Sequence, residues 1–204
     1  MMEGSSKFLS LSGLSGVFAG ITALVGTYLA WLQIIHFEKL YMTNAMAGTL
    51  VRAEWNLFWN LGMTAIAILI VALTFGFFFT WLKARKENQK LVTPLSFRLV
   101  RSLLVPLFFG GCFVLISLYH GLIGIVVPAT LIFYGLALLN ASKYVHVDIK
   151  YLAVSEMILG LIAFATMEYN YDGALRMLIY WALGFGILHI LYGTIIYLRY
   201  DYKK

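Results

Sequence analysis

The sequence predicts an all-helical, polytopic membrane protein. It reads as one domain over residues 1–204, a bundle of six transmembrane helices with both termini cytoplasmic. Three observations predict this. Of 204 residues, 62% are hydrophobic and 12% charged, whereas a soluble domain runs near half apolar and a quarter charged. The apolar residues fall in six runs of spanning length. The Lys and Arg residues between the runs favour alternate sides. A soluble enzyme of this size cannot bury so much apolar surface. A single cysteine, Cys112, excludes an internal disulfide and a thiolate metal cluster.

A spanning helix needs about 20 mostly apolar residues to cross roughly 30 Å of hydrocarbon. The six runs are about Ser12–Ile35, Trp55–Leu82, Leu99–Tyr119, Leu122–Leu139, Tyr151–Met167 and Ala174–Leu198. The first carries no signal-peptide pattern and is expected to stay in place as a span. No lipidation motif is present. The third and fourth runs form one apolar stretch, Leu99 to Asn140. As a single helix it would measure roughly 63 Å, about twice the hydrocarbon thickness. It must therefore turn back, and Tyr119-His120-Gly121 is the polar break where a tight hairpin is expected. Pro128 follows as a first-turn proline of the fourth helix.

The cations set the orientation. Lys7, the segment Lys83–Arg101, Lys143, Lys150 and the tail after Leu198 place twelve Lys and Arg on one side. Lys39, Arg52 and Arg176 place three on the other. The positive-inside rule makes the richer side cytoplasmic, which puts both termini in the cytoplasm. Trp31, Trp55, Trp59, Trp81 and Trp181 fall near the expected interfaces, where an amphipathic ring is favoured. The cationic segment Lys83–Arg101 suits anionic lipid headgroups. Base-reading residues are missing, so no nucleic-acid partner is expected. The longest loop is expected outside, at His36–Glu54, as a linker with a short interfacial helix or, alternatively, as a lid over an outward cavity.

Ionisable groups inside a membrane are costly and mark candidate sites. Glu156 lies six residues past Lys150, about 9 Å inside the fifth span. His189 lies ten residues before Arg199, about 15 Å inside the sixth. Reflecting Glu156 through a turn near Tyr171 brings it within one helical turn of His189. A carboxylate beside an imidazole can share a proton, bind a cation or hold a polar solute. The bland reading makes Glu156 a helix N-terminal acid and His189 a polar interhelix strut. Ser12, Ser15 and Asn140 belong to the same inner half and can extend a polar pocket. A second, outer set is His36, Glu54, Asn56 and Asn60, with Glu38 and Arg52 nearby. It reads either as interfacial anchoring or as a vestibule.

Small residues on one helix face let another backbone approach closely. Gly16 and Gly20 form a G-x-x-x-G step in the first span, and Gly184, Gly186 and Gly193 recur in the last. They read as internal helix packing, with a homo-oligomer or membrane-partner interface as the alternative. His36, His120, His146 and His189 are scattered in depth, so neither haem nor zinc ligation is indicated, and no cofactor is suggested. H-E-x-x-H, Walker A, G-x-S-x-G and C-x-x-C do not occur, which makes an enzyme the weakest of the function classes.

Three stretches carry a resemblance: Phe8–Gly20 (FLSLSGLSGVFAG), Val127–Tyr144 (VPATLIFYGLALLNASKY) and Trp181–Gly193 (WALGFGILHILYG). Together the chain resembles an uncharacterised bacterial family of short six-span inner-membrane proteins. Glu156 and the Gly-x-Gly-x-x-His of Gly184, Gly186 and His189 lie within that pattern. The resemblance implies the six-span topology and supplies no substrate or cofactor. The sequence thus leaves two principal expectations. One is a protein that binds or transports a small polar solute or ion at Glu156 and His189. The other is a noncatalytic scaffold or sensory partner that packs against another chain through small-residue faces.

Overall fold

A computed structural model describes residues 12–43, 47–88, 90, 92–145, 147–169 and 171–202. Arg52 beyond its backbone, His146, Lys7 and the start of the Phe8–Gly20 stretch lie outside the described residues. The fold is all-helical, with no strand among the described residues. Among the described residues six long helices follow in order: α1 (Gly13–Thr43), α2 (Ala47–Lys86), α3 (Pro94–Tyr119), α4 (Val126–Ala141), α5 (Asp148–Ala165) and α6 (Tyr171–Asp201). Five are long and apolar enough to cross a membrane; α5 carries Asp148, Lys150 and Glu156 in 18 residues and stands apart.

The helices outrun the apolar runs at most ends. The largest difference is the expected outer loop. α1 continues to Thr43 and α2 begins at Ala47, so His36–Glu54 is mostly helix rather than linker. Its helical residues, among them Glu38, Leu40, Ala47 and Leu50, are good helix formers and no proline intervenes. At 40 residues α2 measures about 60 Å, well beyond a hydrocarbon core.

The hairpin between α3 and α4 forms where the polar break predicts it. Gly121 adopts φ +75°. Its N–H bonds the Leu118 carbonyl at 3.0 Å, and the Leu122 N–H bonds the Ser117 carbonyl at 2.8 Å. This is a Schellman closure, and its left-handed residue favours glycine. A single 3₁₀ turn, Ile123–Ile125, leads into α4, where Pro128 sits in the first turn. At the other end of α3, Thr93 and Ser96 form a capping box with Pro94 at the first helical position.

Packing runs from α2 through α1 to α6, then to α5 and α4, with α3 against α4. The α1–α6 seam is backbone on backbone. A Cβ added at Gly193 would lie 2.6 Å from Val17 N, and one at Gly16 3.1 Å from the Gly193 Cα. One added at Gly20 would meet the Gly186 carbonyl at 2.6 Å. The glycine steps are therefore consumed inside the chain. α1 and α2 join through Phe18, whose ring lies 4.6 Å from that of Phe79, and through a 2.8 Å hydrogen bond from Gln33 to Thr64. Phe133 of α4 fills the gap left by Gly110 of α3.

One end of the bundle is bound by polar contacts. Asp201, in the last turn of α6, accepts from the Gly13 backbone N–H at 2.9 Å and from the Ser12 hydroxyl at 3.4 Å. It also pairs with Lys83 near the end of α2. Both charged side chains are 9% exposed. A carboxylate at the start of α1 meets unsatisfied N–H groups and the positive end of the helix dipole. Two positions earlier, Arg199 pairs with Asp148 at the start of α5 at 2.8 Å. The α6 backbone is widened to a π-turn over Tyr197–Asp201.

Candidate functional site

Glu156 enters the bundle from the third turn of α5 and is fully buried. His189, also buried, reaches it from α6, with Nδ1 3.3 Å from Oε1. The helical-rise argument thus brings together the two residues it selected.

Local backbone positions both. α6 widens to a π-helix over Ala182–Leu188, with His189 immediately after it. The wider turn presents the Gly184 carbonyl to its own helix, where it lies 3.0 Å from His189 Nδ1. A carbonyl only accepts, so Nδ1 carries the hydrogen. Gly184 also makes room for the acid: a Cβ added there would lie 2.7 Å from Glu156 Oε2 and 2.4 Å from Leu131 Cδ2. A side chain at 184 and a carboxylate at 156 compete for one space.

The other ring nitrogen has a partner that the sequence reading missed. Tyr134 of α4 places its hydroxyl 2.8 Å from His189 Nε2. With the hydrogen on Nδ1, Nε2 of a neutral ring accepts from the phenol, and Nε2 of an imidazolium donates to it. Tyr134 lies six residues before Asn140 in α4, the same spacing that separates Glu156 from Lys150. The same arithmetic applied to α4 would have selected it. Phe185 packs on this group, 5.2 Å from the Tyr134 ring and 6.0 Å from the imidazole, with Trp181 4.5 Å beyond.

Neither Glu156 oxygen makes a hydrogen bond among the described residues. The Nδ1–H is directed at Gly184, so the carboxylate lies 3.3 Å from the imidazole without an aligned donor. A buried carboxylate in this state is expensive unless it is neutralised or meets a cation. Chemically the constellation is a phenol, an imidazole and a carboxylate in series, with an acceptor-rich end at Glu156. No group of three or more His, Cys, Asp or Glu able to hold a metal occurs among the described residues.

The remaining candidates are placed elsewhere. Ser12 and Ser15 belong to the start of α1: Ser12 bonds Asp201, and Ser15 donates to the Ser12 carbonyl at 2.6 Å. Asn140 donates to the Ser102 carbonyl of α3 at 3.0 Å and accepts from Lys143 at 3.5 Å. It faces a groove of about 510 Å³ lined by Pro106, Phe133, Leu136, Leu139 and Lys143. These three residues serve helix ends and the α3–α4 contact, and their hydrogen bonds do not reach Glu156. His36, Glu54, Asn56 and Asn60 are exposed, with no hydrogen bond joining them among the described residues. Gly16, Gly20, Gly186 and Gly193 lie in the α1–α6 seam, while Gly184 belongs to the site. The Lys83–Asp201 pair was also missed; its members are 118 residues apart and neither interrupts an apolar run.

No family model, curated protein or solved structure matches the chain.

Proposed function

We propose that this chain is an integral membrane protein that binds or moves a small polar solute or ion, with its site at Glu156 and His189. One observation carries the reading: a fully buried carboxylate has an imidazole at 3.3 Å and no hydrogen-bond donor of its own. Packing alone gives no reason to retain such a group, since an apolar residue would avoid its desolvation cost. All six helices cross in this reading, α5 included, because its three charged residues are sheltered or terminal. Twelve cations against three favour a cytoplasmic location for both ends. The adjacency of Ser12 and Gly13 to Asp201 supports a shared side for them. The bacterial inner membrane follows from the family resemblance.

The test is reconstitution of the full chain into liposomes on a solid-supported membrane. Steps of proton, Na⁺ and K⁺ concentration are applied, and small polar solutes are screened by thermal shift. We expect a current or a shift that falls at least tenfold in Glu156→Gln. Silence to every ion and solute would reduce the pair to a helix strut.

A second reading, a scaffold that packs against another membrane chain, draws on α2. The small-residue faces of α1 and α6 are occupied, but Gly62 and Gly76 of α2 have open space around them. Crosslinking from cysteines placed beside Gly62 and Gly76 tests it, and an absence of intermolecular products would remove it.

A further inference from the structure

The site reading above leaves the ligand open, and the packing around Glu156 narrows it. We infer that the exchangeable ligand of the Glu156–His189 pair is a proton, with Tyr134 as the positioning residue that lets the imidazole hold it.

The first ground is space. Glu156 is fully buried, and Oε2 sits where a methyl group at Gly184 would collide at 2.7 Å. Leu131 and Leu159 close the same position. A metal cation needs several oxygen ligands and usually keeps waters. Here the Gly184 carbonyl is already taken by His189, and the Tyr134 hydroxyl by Nε2. A proton needs neither added volume nor a coordination shell.

The second ground is the donor and acceptor inventory. One proton taken up from water can neutralise the site in two ways. It can reside on Glu156 as a carboxylic acid beside a neutral ring. Alternatively it can reside on Nε2, giving an imidazolium opposite the carboxylate. In the second state the Tyr134 hydroxyl turns from donor to acceptor, which a phenol can do and an aliphatic residue cannot. The two states hold the same atoms and the same net charge, and release of the proton to water restores a carboxylate beside a neutral ring.

The titratable groups that face the pair are few. α4 contributes Tyr134, and α5 and α6 contribute the pair itself. α1, which also packs on α6, presents Gly16, Gly20 and Leu24 there, and its titratable side chains begin only at Tyr28. Asp148, Lys150 and Tyr151 stand at the start of α5, and Arg199 and Asp201 at the end of α6, beyond the site.

The inference rests on the proposed site and is tested without flux. Infrared difference spectra of the purified full chain in detergent are recorded across pH. We expect a protonated-carboxyl band that titrates in the natural protein and is lost in Glu156→Gln. Its midpoint should move in Tyr134→Phe, which retains the ring and its packing. Adding NaCl or KCl at fixed pH should leave the band unchanged. A second readout is the ¹⁵N shift of His189, which should follow the same titration and serves if Glu156→Gln fails to fold. Absence of any titrating band or shift at these residues would overturn the inference. Displacement of the band by Na⁺ or K⁺ would overturn it in favour of an alkali cation. A titrating band without current in liposomes would count against transport while leaving the proton assignment standing.

Discussion

Asn140 donates its side-chain amide to the Ser102 carbonyl at 3.0 Å, and that carbonyl is the one that Pro106 leaves without its helical donor. Proline has no N–H to return to the residue four positions earlier. The freed acceptor faces α4, and an amide from the neighbouring helix takes it. Asn140→Leu should therefore lower stability by roughly 0.6–1.7 kcal/mol, the scale of polar contacts between membrane helices. Pro106→Ala restores a backbone donor to Ser102. In that background the loss from Asn140→Leu should shrink, and a double-mutant cycle by unfolding in mixed micelles measures the coupling. Independent losses in the two variants would mean that the contact does not serve the proline.

Glycine substitutions along α6 should rank by what they strike. Gly193→Ala meets the Val17 backbone nitrogen at 2.6 Å and the Gly13 carbonyl at 2.8 Å, and neither can move without separating α1 from α6. Gly186→Ala meets the end of the Leu24 side chain, which can rotate away. We expect Gly193→Ala to cost about 1–3 kcal/mol or more and Gly186→Ala less, as overpacking does in proportion to the neighbour's freedom. Thermal unfolding in detergent orders them.

Gly184→Ala should behave differently from both. Its methyl group would strike the Glu156 carboxylate as well as Leu131. Glu156→Ala vacates the space that the methyl group requires. The combined variant should therefore be more stable than Gly184→Ala alone, whereas additive losses would show that Leu131 is the dominant obstacle. Size-exclusion profiles and melting midpoints of the three variants decide this.

The two kinds of ion pair should part company. Asp201→Ala removes the acceptor that the Gly13 N–H, the Ser12 hydroxyl and Lys83 share. Breaking a buried pair in this way costs about 3–5 kcal/mol. Asp201→Asn keeps one acceptor oxygen and should lose less. The exposed Arg176–Glu168 pair, at 2.8 Å, should change stability by no more than about 1 kcal/mol in Arg176→Ala. Comparable losses at both ends would show that the inner pair is better solvated than its 9% exposure indicates.

The legible parts of the fold were those governed by a single length scale. A hydrocarbon thickness and a rise per residue locate the six helices, the Gly121 turn and the shared depth of Glu156 and His189. Tyr134 escaped because a tyrosine in an apolar run reads as packing until a nitrogen appears opposite its hydroxyl. Asn140 and Ser12 were assigned to the right end of the bundle but the wrong partners, since depth does not give azimuth around a helix. The helical extension through His36–Glu54 was hidden for another reason: its polar residues end the apolar run without ending the helix. Asp201 and Lys83 depend on which of several basic residues α6 meets, and only the packed arrangement of α1, α2 and α6 determines that.

The seam between α1 and α6 also sets an order of events. α1 is made before α6, with four helices between them in the chain. Until α6 is made the glycine face of α1 lacks its final partner, and α2 covers the opposite flank through Phe18, Phe75 and Phe79. The seam needs both glycine faces at once, so closing this bundle must wait until the ribosome has delivered Gly186 and Gly193. A nascent chain stopped before α6 would keep an open glycine groove on α1. Completion of the tertiary structure therefore follows the synthesis of α6 and cannot precede it.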